Sequence, residues 1–519
     1  MSWQDEVDGI EARLRAALAL GGEAAIAAQH AKGRLTVRER IDALVDAGSF
    51  QEQGPIAGHA DKDAEGRLIG FSPANYLLGV AKLDGRPVVV GGEDFTQAGG
   101  SPSPAGLRKS VMAEELAVRL RLPLVRLLEG GGGSVAPRRP GSDAPIVVES
   151  ANAPPRFLSF AQAMAQAPVV SAALGAVAGL PAARLVASHF SLMARETAQV
   201  LIAGPALVER ARGVRTTKEE LGGARVHLRS GVVDNAADDE REVFQLARRF
   251  LSYLPTNVWQ RAPVTSCDDP ADRAEEELLA LVPRERRKSY KMRRALELVL
   301  DRGSLLETAP EFGRSLVCGL ARLRGQPVGV VANDPNFYAG AMTAESAQKL
   351  RRHVDLCDTF HLPIVSFVDE PGFLIGPEAE HAATIRHGTA AIFAVMQSSV
   401  PWLSVHVRKA FGVAAAAHFG PGGHVIAWPS AESGALPLEG GVAVAFRREI
   451  EAAPDPEAKR RELEEQLAAR RDPYARAESF GVADLIDPRR TRQALCAWVE
   501  WIQPSLAGLR GPRAYSLRP

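Results

Sequence analysis

The stretch GVAKLDGRPVVV, at residues 79–90, returns in the second half of the chain as GLARLRGQPVGVV, at residues 319–331. A similar pair precedes these stretches, with RERIDALVDAGSF at residues 38–50 and RRALELVLDRGSL at residues 293–305. Segments that recur in the same order over such a distance indicate an internal duplication. The sequence therefore predicts two domains of similar fold.

Each copy continues with the same succession of strand and helix signals. The segment LPLVRLLE, at residues 122–129, corresponds to LPIVSFVD, at residues 362–369, and both follow helical patterns, at residues 104–121 and 343–360. Strands that alternate with helices form parallel β-α-β units. The predicted fold class is therefore α/β, with two tandem domains related by the duplication.

The length of the chain agrees with this division. A single core rarely grows beyond about 250–300 residues, whereas this chain has 519. Residues 259–286 are polar and acidic and contain Pro263 and Pro270, which predicts a linker. The predicted domains are residues 1–258 on one side of this linker and residues 287–519 on the other.

Charge and cysteine content exclude several functional classes. The 62 basic residues balance 62 acidic ones, so neither a nucleic-acid-binding surface nor a polybasic membrane surface is indicated. The four cysteines have neither CxxC nor histidine spacing, which disfavours a zinc site and a disulfide framework. No metal is expected to bind this chain. The sequence starts without a signal or transit-peptide pattern, which favours the cytoplasm.

Small residues follow three apolar strand patterns, at places where a helix can begin. They lie within Gly130–Gly133, Gly175–Gly179 and Arg408–Ala414. At such a turn, backbone N–H groups can face a ligand, and the helix N-terminus adds positive potential. For any one turn, tight chain reversal and close packing are the more usual reasons for glycine. Paired turns in a duplicated fold favour two oxyanion holes, which suit two carbonyl groups that gain enolate-like charge.

Local sequence strings along most of the chain match those of a known family. They are GRLTVRERI (residues 33–41), TKEELGGA (217–224), LSYLPTN (251–257), VDEPGFL (368–374), IRHG (385–388), VRKAFG (407–412), AWPSAE (427–432), DPYA (472–475) and IDP (486–488). The strings stand in the order that the family has. The chain thus resembles the carboxyltransferase (β) subunits of biotin-dependent acyl-CoA carboxylases, of the propionyl-CoA carboxylase type.

This resemblance implies two crotonase-like domains, with acyl-CoA bound mainly by the N-terminal half and carboxybiotin by the C-terminal half. It implies carboxyl transfer to the α carbon of the thioester, through an enolate held by backbone N–H groups. The chain has no biotinylation sequence, so biotin is expected on a separate α subunit that carries the biotin carboxylase and biotin carrier functions. In the family, the N-terminal half of one subunit faces the C-terminal half of another, which implies at least a homodimer and favours a hexamer.

The resemblance also assigns site residues by their positions. Gly179 and Leu180 would donate to the thioester oxygen, and Val413 and Ala414 would donate to the biotin carbonyl. The remaining assignments are Gly131, Gly132, Gly133 and Ala416 beside the acyl-CoA, and Phe411 and Gly412 beside the biotin.

Some positions depart from the family pattern and keep two other functions open. Where relatives have Ala-Gly-Gly-Ala, this chain has Ala178-Gly179-Leu180-Pro181, and proline has no N–H to donate. One alternative is a non-catalytic β-like scaffold that assembles with an active homologue or with an α chain. The other is a biotin-independent decarboxylase of malonyl-type thioesters that uses the same oxyanion hole.

Overall fold

The computed structural model of the chain describes residues 2–132, 157–469 and 472–518. The chain divides into two compact units. The first unit runs to Gln260 and includes the segment that starts at Ser516, and the second unit is Arg261–Tyr515. Among the described residues, no helix has the length and apolar character needed to cross a bilayer.

The first unit contains ten strands among its described residues. They are β1 (Gln51–Glu52), β2 (Gly58–Lys62), β3 (Leu68–Pro73), β4 (Tyr76–Leu83), β5 (Arg86–Glu93), β6 (Leu124–Gly130), β7 (Val169–Ala178), β8 (Phe190–Ala194), β9 (Gln199–Leu201) and β10 (Asn235–Ala237). Its helices are α1 (Gln4–Leu18), α2 (Glu23–His30), α3 (Val37–Leu44), the 3-10 helix η1 (Ala98–Gly100), α4 (Pro104–Leu120), α5 (Phe157–Met164), α6 (Leu180–Val186), α7 (Pro205–Arg212), α8 (Lys218–Gly222), α9 (Ala224–Ser230) and α10 (Glu240–Tyr253).

The second unit contains eight strands in the part that the structure describes. They are β11 (Leu306–Thr308), β12 (Leu316–Leu323), β13 (Gln326–Asn333), β14 (Ile364–Glu370), β15 (Trp402–Phe411), β16 (His424–Ala427), β17 (Glu432–Gly434) and β18 (Asp484–Leu485). Its helices are α11 (Glu277–Leu281), α12 (Met292–Val299), η2 (Tyr338–Gly340), α13 (Ala344–Thr359), α14 (Pro377–His381), α15 (Thr384–Gln397), η3 (Val413–His418), α16 (Leu438–Ala445), α17 (Arg447–Glu451), α18 (Pro456–Ala469), α19 (Ala475–Glu478), η4 (Pro488–Arg490), α20 (Thr491–Trp501) and α21 (Gln503–Gly508).

The main sheets of the two units have the same topology. The first has the strand order β1-β4-β5-β6-β7-β8-β10, with β9 paired to β7. The second has the order β11-β12-β13-β14-β15-β16-β18, with β17 paired to β15. In each sheet the first three strands are antiparallel, and the remaining neighbours are parallel. This correspondence confirms the predicted duplication and the α/β fold class.

The central strands of each sheet are buried by helices that follow or precede them. In the second unit, Met292 and Leu296 of α12 and Leu495 of α20 belong to one core cluster with Val330 of β13 and Phe367 of β14, all fully buried. Burial of each such side chain contributes about 1.5–3 kcal/mol. The helices thereby fix the strands at whose carboxyl ends the candidate site lies.

The segment expected to be a linker is divided between the two units, with Trp259 and Gln260 in the first and the residues from Arg261 onward in the second. The Thr265 N–H donates to the Gly325 carbonyl at 3.2 Å, and Arg492 Nε donates to the Pro270 carbonyl at 2.7 Å. The predicted bounds, residues 1–258 and 287–519 around the linker 259–286, stay a prediction.

Candidate functional site

In the first unit, three turns meet at the carboxyl end of the sheet. They follow β5, β6 and β7, which are neighbouring parallel strands. The Gly131 N–H donates to the Gly99 carbonyl at 3.2 Å, and a Cβ on Gly179 would lie 3.0 Å from the Cα of Gly132. In open α/β sheets, ligands bind at this end of the strands. The structure thus brings three of the sequence-predicted glycines together.

Gly179 and Gly412 hold equivalent places in the two units. Each follows the longest strand of its sheet, β7 or β15, and each precedes a short helix, α6 or η3. Their φ and ψ angles are 67° and −128° for Gly179, and 63° and −162° for Gly412, a region that requires glycine. The next residues, Leu180 and Val413, present the first N–H group of each helix, and such groups have no intrahelical partner.

The second unit repeats the arrangement of turns. The Met342 N–H, just after η2, donates to the Gly372 carbonyl in the turn that follows β14, at 3.1 Å. Gly340, at the end of η2, packs so closely on β14 that a Cβ would lie 2.7 Å from the Asp369 carbonyl oxygen. The turns after β13 and β14 are therefore joined by a backbone hydrogen bond, as are the turns after β5 and β6.

The N–H groups at the two helix starts differ in what they already bind. The Gly412 N–H donates to the Gly434 carbonyl at 3.1 Å, so it is occupied. Within the described part of the chain, the Gly179 N–H has no such acceptor. Pro181, which stands where the second unit has Ala414, has no N–H. Among the described residues, the two consecutive N–H groups that can face a ligand are therefore those of Gly179 and Leu180 in the first unit. In the second unit they are those of Val413 and Ala414, one position later.

A buried carboxylate precedes the glycine turn of the first unit. Glu129 Oε1 lies 2.9 Å from Arg34 Nη1, and its Oε2 lies 2.6 Å from Arg40 Nη1 and accepts a 2.6 Å hydrogen bond from Gln29 Nε2. Arg40 also makes a bidentate pair with Glu240, at 2.7 and 2.9 Å. Since the residue directly before the turn is held from several sides, the position of the turn is fixed.

Asp369 is the equivalent carboxylate of the second unit. Its Oδ2 lies 2.9 Å from Arg408 Nη2 and accepts a 3.0 Å hydrogen bond from the Tyr290 hydroxyl, and its Oδ1 accepts from the Lys409 N–H at 3.1 Å. The Arg408 guanidinium also lies over the Tyr290 ring, 4.9 Å from its centroid. Burial, followed by the Asp369 charge, raises the pKa of Tyr290, so the phenol remains a proton donor.

Glu93, the last residue of β5, is a second buried carboxyl group beside the first-unit turns. Its Oε2 accepts from the Glu129 N–H at 2.9 Å. Burial raises the pKa of Glu93 to about 7, although the Arg184 charge opposes the shift. In the second unit Asn333 holds this place, and its Oδ1 accepts from the Asp369 N–H at 3.0 Å. A neutral amide therefore supports the same turn.

Replacement of Glu93 by glutamine is expected to stabilise the protein at alkaline pH. The unfolded carboxyl ionises near pH 4.5 and the folded one near pH 7, so stability is lost as the pH rises between these values. Glutamine keeps the acceptor for Glu129 without the ionisation. The Tm difference between E93Q and the parent should therefore be small at pH 5 and clearly positive at pH 8. An equal difference at both pH values would contradict this assignment.

The sequence-predicted residues fall into two sets, one in each unit. The first set lies at the adjoining turns after β6 and β7: Gly131, Gly132, Gly179 and Leu180. The second set lies along the end of β15 and η3: Phe411, Gly412, Val413, Ala414 and Ala416. Gly133 lies outside the described residues. No group of three or more His, Cys, Asp or Glu side chains in the described ranges is arranged to hold a metal.

The turn at η2 was missed by the sequence reasoning. Tyr338 and Ala339 have φ angles of 50° and 55°, values that side chains rarely adopt, yet neither is glycine. In the first unit the matching residues are Ala98 and Gly99, with φ angles of 48° and 58°. The only sequence signal for η2 was its alignment with Gly99-Gly100 of the first copy.

The whole chain is similar to carboxyl transferases. The family described as carboxyl transferase domain matches residues 28–503. The chain is 35% identical to the propionyl-CoA carboxylase carboxyltransferase subunit of Haloferax mediterranei, over 96% of both chains. It is 31% identical to the methylmalonyl-CoA decarboxylase subunit alpha of Propionigenium modestum, over 92% of this chain and 91% of that one.

A solved structure shares the two-unit fold. The transcarboxylase 12S structure with methylmalonyl-coenzyme A and methylmalonic acid bound has a TM-score of 0.85 and 28% identity, over 100% of this chain and 98% of that one. The crotonase-like fold expected from the sequence is thereby confirmed. Because the family model and the relatives match nearly the full length, the chain belongs to the carboxyl transferase family. It is an enzyme of the acyl-CoA carboxylase carboxyltransferase type.

Proposed function

We propose that this chain moves a carboxyl group from carboxybiotin to the α carbon of an acyl-CoA, through an enolate held by backbone oxyanion holes. The observation that supports this most directly is the pair of glycine-led helices, α6 and η3, at equivalent ends of β7 and β15. Donors that are fixed before the reaction stabilise charge as it develops on an oxygen. Two such sites suit a reaction in which two carbonyl groups take part.

The acyl-CoA side is assigned to the first unit. The N–H groups of Gly179 and Leu180 would hold the thioester oxygen as the α carbon loses its proton. Among the described residues, no acceptor is found for the Gly179 N–H, which agrees with this role. Gly131 and Gly132, with Gly133 after them, would let the thioester approach the backbone, because they carry no side chains.

The biotin side is assigned to the second unit. Carboxybiotin, carried by a separate subunit, supplies the carboxyl group when it is bound. The Val413 and Ala414 N–H groups would hold its carbonyl oxygen, with Phe411 and Gly412 beside it. The Val413 residue is 65% exposed, so the start of η3 is open to a ligand that arrives from solvent.

The proposed assembly is a cytoplasmic complex with an α subunit that carries the biotin carboxylase and the biotin carrier. The related 12S structure is described as a hexamer assembly. By analogy, we assign this chain to a homo-oligomer, with a dimer as the minimum and a hexamer as the expected form.

The test of this function is carboxylation of a panel of acyl-CoAs by the chain, co-expressed with a biotin-carrying α subunit. The expected result is transfer of labelled bicarbonate to one or a few thioesters, dependent on ATP and on biotin. No transfer to any thioester, in a stable complex with an α subunit, would overturn the proposal in favour of a scaffold role.

A second candidate function is decarboxylation of a malonyl-type thioester without biotin. The 31% identity to a methylmalonyl-CoA decarboxylase subunit favours loss of a carboxyl group from such a thioester, although it does not bear on the need for biotin. The same first-unit donors would stabilise the enolate that remains after CO2 leaves. Release of CO2 from methylmalonyl-CoA by the chain alone, without biotin or ATP, would identify this activity.

Enlargement of Ala416 is expected to change the acyl-chain preference. Ala416 is half-buried on η3, and the family resemblance places it at the acyl pocket. In A416L the added atoms should shift the highest kcat/KM toward shorter acyl groups. Half-buried Ala494, on α20, offers a matched control, A494L, which should keep the parental profile. A profile that A416L leaves unchanged would remove Ala416 from the pocket.

A further inference from the structure

A buried carboxylate, Glu370, ends β14 directly before the second-unit turn. Its Oε1 accepts hydrogen bonds from the Gly372 N–H at 3.0 Å and from the Met342 N–H at 3.3 Å. Its Oε2 accepts from Asn333 Nδ2 at 3.1 Å and lies 3.3 Å from His418 Nε2. Glu370 is 0% exposed, so all of its interactions are internal.

These partners belong to three different segments of the second unit. Met342 follows η2, Gly372 lies in the turn after β14, and His418 is the last residue of η3. A carboxylate with several donors on different segments fixes those segments relative to one another, because a buried acceptor without its donors costs about 1–3 kcal/mol or more. Glu370 therefore ties η3 to both neighbouring turns.

His418 is anchored at its other atoms as well. Its Nδ1 lies 3.2 Å from Ser366 Oγ, and its carbonyl oxygen accepts from Trp402 Nε1 at 2.9 Å and from Ser404 Oγ at 2.7 Å. The Ser366 hydroxyl is fully buried, so the serine, histidine and glutamate do not form a nucleophilic site. Their arrangement instead holds the C-terminal end of η3, a helix of six residues.

The first unit shows that the fold itself does not require this carboxylate. Glu370 pairs with Ala410 of β15, and the residue at the same place in the first sheet is Gly130, which pairs with Val177 of β7. A Cβ on Gly130 would lie 2.8 Å from the Gly100 carbonyl oxygen, so no side chain fits there. The carboxylate and its histidine are thus particular to the second unit.

We propose that Glu370 and His418 are positioning residues for the donor pair Val413 and Ala414 at the start of η3. This proposal rests on the function assigned to that pair. Glu370 and His418 are both 0% exposed, so the network acts by holding the far end of a short helix. A displacement of about 1 Å of a donor is enough to cost about 100-fold in rate.

The variants E370Q and H418Q test this role in the complex with the α subunit. The reaction to measure is transfer of the carboxyl group of methylmalonyl-CoA to added free biotin, which yields propionyl-CoA and carboxybiotin. We expect kcat to fall ten- to hundredfold and the KM for biotin to rise, whereas the affinity for methylmalonyl-CoA changes much less. Glu114, an equally buried carboxylate that binds Arg184 of α6 at 2.9 Å, provides the control. E114Q should not change the KM for biotin.

Amide hydrogen exchange keeps the test independent of activity. In E370Q, the amides of residues 413–418 should exchange faster, and those of residues 180–186 should not. Unchanged exchange in η3 would overturn the proposal whether or not the chain transfers carboxyl groups. A parental chain without transfer activity would instead refute the proposed function. If E370Q lost affinity for biotin and for acyl-CoA to the same extent, and if amides exchanged faster in both α6 and η3, the variant would have lost stability in general. That result would also overturn the positioning role.

Discussion

Replacement of Ala414 by proline is expected to lower the kcat of carboxyl transfer by about 10²- to 10³-fold, because one N–H of the proposed second-unit oxyanion hole is lost. The first unit already carries proline at the matching place, Pro181, directly after the first residue of α6. A short helix at this point of the fold therefore accommodates proline in its second position. The affinity for acyl-CoA should stay at the parental value, since its proposed donors lie in the first unit.

The controls for this experiment come from the same two positions. Glycine at residue 414 keeps the N–H, so A414G should retain most of the activity that A414P loses. P181A adds an N–H in the first unit and should not lower kcat. The measurement is steady-state carboxylation by the complex, together with calorimetric titration of an acyl-CoA. Parental turnover by A414P would remove the start of η3 from the reaction.

The sequence predicts the parts of this fold that depend on local or repeated signals. The hairpin at residues 79–90 and its copy at residues 319–331 have the same register, with Val80 opposite Val89 and Leu320 opposite Gly329. After each hairpin, an apolar strand signal is followed by a helix signal and by another strand signal, and this β-α-β succession predicts the parallel part of each sheet. The sequence places Gly179 and Gly412 after apolar strand patterns, where turns are predicted. In the structure both adopt backbone angles that only glycine suits.

The buried polar contacts around the site were beyond sequence reasoning. Glu129 and Arg40 are far apart in sequence, and Arg40 and Glu240 are separated by 200 residues. Such pairs carry no periodicity, and each charged residue alone is typical of a solvated surface. The partnership of Glu370 with His418 has the same character. The family resemblance supplied the proposed site positions, whereas the contacts around those positions required the structure.

Replacement of Arg40 by methionine is expected to destabilise the first unit by about 3–5 kcal/mol, because it leaves a buried carboxylate without its cation. Arg40 and Glu240 are 1% and 4% exposed, respectively. Glu129 keeps Arg34 and Gln29 as partners, whereas Glu240 loses a bidentate partner. Burial already raises the pKa of Glu240, so without Arg40 the penalty should grow as the pH rises. Hydrogen exchange of β6 and β7 amides measures the free energy of opening in this unit.

The double variant R40M/E240M separates the cost of an unpaired charge from the cost of lost packing. A buried ion pair replaced by apolar side chains of similar volume is often neutral in stability, so the double variant should recover most of what R40M loses. Arg294 and Glu277 form a pair on the surface, with side chains 44% and 47% exposed, and R294M should change little. If the free energy of opening were the same in R40M as in the parent, the contacts of Arg40 with Glu129 and Glu240 would not stabilise the glycine turn. A loss of acyl-CoA affinity in R40M that the double variant reverses would connect this network to the first-unit site, since Glu129 directly precedes that turn.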